Sequence, residues 1–133
     1  MNTILAQRNA GIFGFFNAAA ALEDKLFDSM DEQAWNVPFA SKCIITDNFS
    51  RAFSDSQYTP ITGSILHFVC FSSIVVDVGN GGQTSYASAN AAMEDVVTRR
   101  VAVGLPGLCL RLGFIPHIGL ALSVHSGIDC SSL

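Results

Sequence analysis

The sequence contains 133 residues with a formal net charge of −4, a length that fits one domain because single cores commonly span about 100 to 200 residues. Half of the residues are hydrophobic and only 14% are charged, against roughly 25% charged in an ordinary soluble domain, so much of the chain is predicted to be buried. The longest basic run is the pair Arg99–Arg100, which excludes the basic patch of a protein that binds nucleic acid or an anionic membrane. The apolar C-terminal third is interrupted by Arg111 and by several glycines and prolines. It therefore does not reach the roughly 18 uninterrupted apolar residues of a membrane span.

The first predicted element is a strand at residues 11–17 (GIFGFFN), which follows an N-terminal extension of residues 1–10. Apolar residues fall on both faces of this strand, a pattern typical of a parallel strand that is covered on both faces. The apolar stretch after Arg8 also imitates a signal peptide. Because glycines interrupt that stretch, we favour a buried strand that runs into a turn of small residues.

A long helical segment is predicted next, at residues 32–53, where aromatic and apolar residues recur at loosely helical spacing. Residues 54–64 contain proline and glycine and are predicted to form a loop. Residues 65–71 (ILHFVCF) are almost wholly apolar and end in Ser72–Ser73. This pattern indicates a central strand of a parallel sheet.

The second half of the chain continues the alternation of strands and helices. Residues 79–82 predict a glycine-rich loop, and residues 86–103 predict an alanine-rich helix that ends before Gly104. A third strand is predicted at residues 108–112, whereas residues 113–133 show no clear element. The order of these elements predicts an α/β fold with a parallel sheet and flanking helices.

The four cysteines lie far apart and form no C-x-x-C pair with nearby histidines, so no metal site is predicted. We interpret them as reduced, mostly buried thiols, which favours a cytoplasmic location.

Polar residues at the predicted carboxyl edge of the sheet form a candidate catalytic set. Ligands of open α/β sheets bind outside the carboxyl ends of the strands. Ser73 ends the central strand, Tyr86 begins the next helix, and Asn90 lies one turn further along the same helix face. A phenol, with an ordinary pKa near 10, needs a nearby cation to act as an acid at neutral pH, and Lys42 is available. The set suits proton donation to a carbonyl oxygen while hydride arrives from a nicotinamide.

The segment at residues 71–94 (FSSIVVDVGNGGQTSYASANAAME) resembles the ketoreductase domains of fatty acid and polyketide synthases, an extended short-chain dehydrogenase family. It carries the F-S-S, G-Q-x-x-Y and A-x-A-N motifs of that family. The resemblance covers residues 11–122 and implies the C-terminal half of a ketoreductase domain, a partial Rossmann-like sheet whose first half, with its phosphate-binding turn, is missing. Residues 123–133 are expected to form an irregular tail.

The resemblance also implies roles for individual residues. Most stand-alone relatives have lysine four residues after the tyrosine, whereas the synthase ketoreductases have asparagine there and a lysine in the preceding helix. This sequence follows the synthase pattern, with Asn90 four residues after Tyr86 and Lys42 in the segment SKCIITDN. Ile45 departs from the usual glycine of that segment. The implied cofactor is NADPH, and the implied cofactor-binding residues are Ala18, Ala19, Lys42, Tyr86, Gly113, Phe114 and Ile115.

Two further sequence positions indicate a closer resemblance to the ketoreductase of a fatty acid synthase than to that of a polyketide synthase. Val78 stands where one stereochemical class of polyketide reductases has tryptophan, and Glu23–Asp24 resembles the acidic pair of the opposite class. The implied reaction is reduction of a 3-oxoacyl thioester on an acyl carrier protein to the 3-hydroxyacyl form, with the remainder of the synthase as partner. Three alternatives stay open: a polyketide synthase ketoreductase, a non-catalytic fragment with a structural or interaction role, and a stand-alone reductase.

Overall fold

The structure, a computed structural model, describes residues 12–54, 65 and 67–113. Its sheet has three strands in the spatial order β1-β2-β3, and both pairings are parallel. The strands are β1 (Gly14–Asn17), β2 (His67–Ser73) and β3 (Leu108–Leu112). The predicted α/β fold is therefore confirmed, with β2 as the central strand.

Helices connect the strands, as crossover connections between parallel strands require. They are α1 (Glu32–Phe39), α2 (Ile45–Ser54), the short α3 (Val75–Val78) and α4 (Thr84–Ala102). A π-helical turn, Ala40–Ile44, joins α1 to α2 without a break, and a 3₁₀ turn, Phe27–Ser29, precedes α1. The predicted long helical segment thus forms, but with a π turn at its centre.

Local sequence explains where the two main helices begin and end. The Asp31 side chain accepts a hydrogen bond from the Ala34 N–H at 2.7 Å, which caps the start of α1. Gly104 has a φ of +80° just after α4, a conformation that glycine adopts without a steric penalty. The sequence predicted that helix end, although α4 begins at Thr84, two residues before Tyr86.

The core lies between one face of the sheet and helices α2 and α4. Phe68 and Cys70 of β2 and Met93 and Val97 of α4 are buried in it. The Phe15 ring from β1 stacks on Phe49 of α2 at a centroid distance of 4.7 Å. These contacts fix the helices against the sheet, and through them the side chains at its carboxyl edge.

The opposite face of the sheet is exposed among the described residues. Phe16 is 60% exposed, and the outward residues of β3, Leu108, Leu110 and Leu112, are 50%, 39% and 43% exposed. The prediction that the first strand is covered on both faces is therefore wrong for this structure. The strand also starts at Gly14, because residue 11 lies outside the described part of the chain.

Of the loop predicted at residues 54–64, Ser54 instead ends α2, and residues 55–64 lie outside the described residues, as does the C-terminal stretch after Gly113. Within the part that the structure describes, no helix combines the length and the apolar character that crossing a membrane requires.

Candidate active site

The carboxyl ends of three parallel strands meet at one edge of the sheet. β1 ends at Asn17, β2 at Ser73 and β3 at Leu112, so the residues that follow them, from Ala18 and from Gly113, leave the sheet at that edge. This is where open α/β sheets bind their ligands. The predicted site residues Ala18, Ser73 and Gly113 therefore lie at this edge.

Lys42 lies in the π turn and points toward the sheet, since it is only 3% exposed. Its Nζ donates a hydrogen bond to the Phe71 carbonyl at 2.7 Å and lies 6.0 Å from the centre of the Tyr86 ring. Burial lowers the pKa of Lys42 below its ordinary value. The structure thus brings the predicted lysine and the predicted tyrosine together.

The π turn explains how a lysine comes to face the core. Ala34, Pro38, Lys42 and Thr46 are all buried and recur every four residues. In an uninterrupted α-helix, twelve residues advance the helix about 120° past three full turns. The π turn takes up one extra residue and reduces this offset to about 20°, so all four side chains share one face.

Asn17, at the end of β1, holds the π turn in place. Its Nδ2 donates to the carbonyls of Ser41 and Lys42 at 3.1 and 3.2 Å and to the Thr46 hydroxyl at 2.8 Å. Its Oδ1 accepts the N–H of Ala19 at 3.0 Å. One buried amide therefore positions both the Lys42 backbone and the turn after β1. The sequence pattern places Asn17 at the end of the predicted first strand but predicts no role for its side chain.

Tyr86 and Asn90 occupy consecutive turns of α4, as predicted. Asn90 is fully buried, and its Nδ2 donates to the Tyr86 carbonyl at 2.8 Å. Its Oδ1 is buried and has no hydrogen-bond partner among the described residues. Asn90 thus packs beneath the tyrosine and binds its main chain, whereas the Tyr86 ring lies beside the Lys42 ammonium.

Ser73 is the last residue of β2 and is partly exposed. Its Oγ accepts the N–H of Val75, the first residue of α3, at 3.3 Å. The hydroxyl hydrogen stays available as a donor. The sequence predicted this position for Ser73 but did not predict helix α3.

The acidic pair after β1 is tied to the start of α4. Asp24 accepts a hydrogen bond from Gln83 at 3.0 Å, and the Lys25 N–H donates to the Gly82 carbonyl at 2.9 Å. Gly82 has a φ of +77°, which its lack of a side chain permits. The segment that precedes Tyr86 is therefore fixed to the loop that follows β1.

The described residues fit a nicotinamide cofactor. The Lys42 ammonium has three N–H donors, of which the Phe71 carbonyl takes one, so it can bind ribose hydroxyls. Ala18 and Ala19 are exposed and small, and a Cβ added at Gly113 would contact no atom within 4 Å. Phe114 and Ile115 lie outside the described residues.

Comparison with known proteins identifies relatives for most of the chain. The sequence profile of the KR domain matches residues 1–117. The chain is 36% identical over 108 residues to the hybrid PKS-NRPS synthetase iliA of Neonectria sp. (strain DH2), and the match covers 81% of this chain and 2% of that protein. It is 33% identical over 106 residues to the highly reducing polyketide synthase easB of Emericella nidulans, covering 80% of this chain and 4% of that protein. The chain thus spans only a small part of the length of these curated relatives.

Solved structures show the same fold. The first ketoreductase of the tylosin PKS superposes with a TM-score of 0.74 at 28% identity, covering 90% of this chain and 24% of that one. A structure of A-type ketoreductases from modular polyketide synthases gives a TM-score of 0.78 at 23% identity, over 94% of this chain and 26% of that one. Ketoreductase domains are oxidoreductases of the short-chain dehydrogenase superfamily and bind NAD(P)H. From the profile match and these likenesses together, the chain belongs to the KR domain family of ketoreductases.

Proposed function

We propose that the chain forms the catalytic edge of a ketoreductase that uses NADPH to reduce a 3-oxoacyl thioester, carried on an acyl carrier protein, to the 3-hydroxyacyl form. The observation that carries the proposal is the buried Lys42 ammonium, 6.0 Å from the centre of the Tyr86 ring at the carboxyl edge of a parallel sheet. A cation beside a phenol at a ligand-binding edge serves proton transfer. The rest of the synthase is the expected partner, in the cytoplasm.

Four residues have roles in the chemical step. Tyr86 donates its phenolic proton to the substrate oxygen as that oxygen gains negative charge. Ser73 donates a hydrogen bond to the same oxygen and holds the carbonyl in place. Lys42 stabilises the phenolate that proton donation leaves behind. Asn90 binds the main chain of Tyr86 and orients the first turn of α4.

The cofactor supplies the hydride that adds to the carbonyl carbon. Lys42 and Tyr86 would bind its ribose, and the exposed turn at Ala18 and Ala19 would lie along its nicotinamide half. Gly113 leaves room at the third strand end, since a Cβ there would meet open space. Phe114 and Ile115 would complete the site from the segment after β3.

The fatty acid and polyketide assignments share this reaction and differ in the acyl chain that is reduced. The relatives described above are polyketide synthases and hybrids, which favours a polyketide substrate. The Glu23–Asp24 pair supports the fatty acid assignment, and its Asp24 is fixed to Gln83 near Tyr86. Supplying unbranched and α-methylated 3-oxoacyl thioesters tests which substrate turns over faster.

The decisive test is Tyr86→Phe in the full-length protein that contains this chain, assayed by NADPH oxidation with a 3-oxoacyl thioester. The substitution removes one oxygen and little volume, so we expect a rate loss of roughly 10² to 10⁴ from the missing acid. Tyr58→Phe makes the same change at the other tyrosine of the chain and should keep wild-type turnover.

The same assay separates the alternatives. Wild-type turnover that survives in Tyr86→Phe would reject the assignment of the proton donor. An unmodified full-length protein that binds NADPH but never oxidises it with any 3-oxoacyl thioester would instead support the non-catalytic role.

A further inference from the structure

Arg111 of β3 binds acidic side chains from two different helices. Its Nε and one terminal nitrogen donate to the two carboxylate oxygens of Glu94 in α4, at 2.9 and 2.5 Å. Its other terminal nitrogen donates to Asp77 in α3 at 2.5 Å. This arrangement uses the rigid planar fork of the guanidinium, which a lysine cannot reproduce. One side chain thus connects a strand to both helices near the carboxyl edge.

The same glutamate also binds the end of β2. Ser72 Oγ donates to Glu94 Oε1 at 2.5 Å, and Ser72 lies directly beside Arg111 in the pairing of β2 with β3. Ser72 is buried, and the Glu94 side chain is only 15% exposed. Glu94 therefore joins α4 to both strands at once.

These four residues, Ser72, Asp77, Glu94 and Arg111, which we call the Arg111 clamp, adjoin the proposed catalytic residues. Ser73 follows Ser72 directly and accepts the N–H of the first residue of α3, the helix that carries Asp77. Glu94 continues, one turn on, the stripe of α4 that holds Tyr86 and Asn90. The clamp therefore lies between the strand end that carries Ser73 and the helix that carries Tyr86.

We propose that the Arg111 clamp fixes the position of Tyr86 relative to Ser73, so that Arg111 and Glu94 are positioning residues of the reduction. The inference rests on the proposed function, because it requires both hydroxyls to act on one carbonyl oxygen. A misplacement of about 1 Å at a reacting group can cost roughly 100-fold in rate. A small rotation of α4 on the sheet is therefore enough to affect turnover.

The charges around Glu94 make the clamp depend on pH. The titratable groups near it are Arg111 and Cys109 from β3 and, through Arg111, Asp77 from α3. Hydrogen bonds from Arg111 lower the pKa of Glu94 below its ordinary value, whereas burial raises the pKa of Cys109 to about 11 and leaves that thiol neutral. The carboxylate therefore persists into acid as long as Arg111 is present.

The test compares Arg111→Met and Arg111→Lys with the wild type in the full-length protein. We measure kcat and KM for a 3-oxoacyl thioester and Kd for NADPH between about pH 5 and 8. Arg111→Met should lower kcat about 10- to 100-fold and leave KM and Kd within about twofold. Its activity should also decline at a higher pH than that of the wild type, because Glu94 loses the hydrogen bonds that keep it ionised. Arg111→Lys should recover part of kcat.

Arg99→Met is the matched control, since Arg99 forms an exposed ion pair with Asp95 on the same helix. It should leave kcat unchanged. A kcat for Arg111→Met equal to that of this control, or a reduced kcat with an unmoved pH profile, would overturn the proposal. If Arg111→Met fails to fold, Arg111→Lys, which keeps the positive charge, decides by the same two readouts with smaller expected changes.

Tyr86→Phe, assayed in parallel, separates the two levels of inference. If Tyr86→Phe is inactive and Arg111→Met is fully active, the positioning role of the Arg111 clamp is rejected and the proposed function stands. A fully active Tyr86→Phe would reject the proposed function, and the clamp with it.

Discussion

The ammonium of Lys42 is buried beside a main-chain carbonyl and lies 6.0 Å from the centre of the Tyr86 ring. Removing a charge from water is costly unless its donors are satisfied, and here the Phe71 carbonyl satisfies one of them. Burial accordingly lowers the pKa of Lys42. A cation held in such surroundings acts strongly on its neighbours because little water screens it. The position is costly for folding, and the proposed function explains it by the effect of the cation on Tyr86.

We expect Lys42→Ala to lower turnover and to weaken NADPH binding, each by about tenfold or more, because the variant loses both the cation beside Tyr86 and a donor for the ribose. Lys42→Met repeats the test with less change in volume. The measurements are kcat with a 3-oxoacyl thioester and Kd by NADPH fluorescence in the full-length protein.

Lys25 is the only other lysine of the chain, and its Nζ binds Asp31 at 2.6 Å near the surface. Lys25→Ala should therefore change neither constant. If both Lys42 variants keep wild-type turnover and affinity, the role assigned to Lys42 is wrong and Lys25 becomes the better candidate.

At the level of single residues, the sequence identified the groups that carry recognisable chemistry. Lys42, Tyr86 and Asn90 stand in motifs with fixed spacing, and the structure brings them together. Asn17 and Glu94 were not identified, because an asparagine after a strand and a glutamate in a helix look the same whether they face solvent or a buried partner. Only the three-dimensional structure shows their hydrogen bonds.

At the level of elements, the π turn depends on one amide from β1. Asn17→Ala would leave the Ser41 and Lys42 carbonyls and the Thr46 hydroxyl without this donor. We expect the free energy of local opening of residues 40–46 to fall by about 1 to 3 kcal/mol, since these groups lose a buried donor, although the Lys42 carbonyl keeps its bond from the Thr46 hydroxyl. Amide hydrogen exchange of peptides from this segment measures that fall.

Asn48→Ala is the control for this prediction, because Asn48 is an exposed asparagine of α2. It should leave exchange in residues 40–46 unchanged. Equal protection in the Asn17→Ala and Asn48→Ala variants would mean that the amide contributes nothing to the π turn.

The elements that the sequence predicted best are those with clear boundaries. β3 forms at Leu108–Leu112 as predicted, and Gly104 ends α4. Helix α3 was not predicted, because the apolar residues at 74–78 give no helical period over so short a length. The π turn was not predicted either, since one additional residue within a helical pattern resembles ordinary irregular spacing.

At the level of the whole molecule, the described helices α2 and α4 pack on one face of the sheet, and the other face exposes Phe16 and the outward leucines of β3. Contiguous apolar surface of this kind drives association in water. We expect the 133-residue chain, expressed by itself, to self-associate, to unfold without a sharp transition and to bind NADPH weakly. Light scattering coupled to size exclusion, a thermal melt and a fluorescence titration measure the three properties.

A matched pair of variants tests whether this face is responsible. Leu110→Lys adds a charge to the exposed sheet face and should reduce association, whereas Leu26→Lys adds the same charge at another exposed leucine, 70% exposed, and should not. A monomeric chain with a cooperative melt and micromolar NADPH affinity would contradict the prediction.

The π turn also determines how the site responds to a change in chain length. Ala40 is exposed, and its deletion would leave the four buried positions separated by four, three and four residues, which is the spacing of one face of an ordinary α-helix. The deletion would thus remove the bulge while Lys42 and Thr46 kept facing the sheet. An insertion at the same place would add about 100° of rotation and turn Lys42 away from Tyr86. Gain and loss of one codon here have unequal consequences, although both change the length of the segment by the same amount.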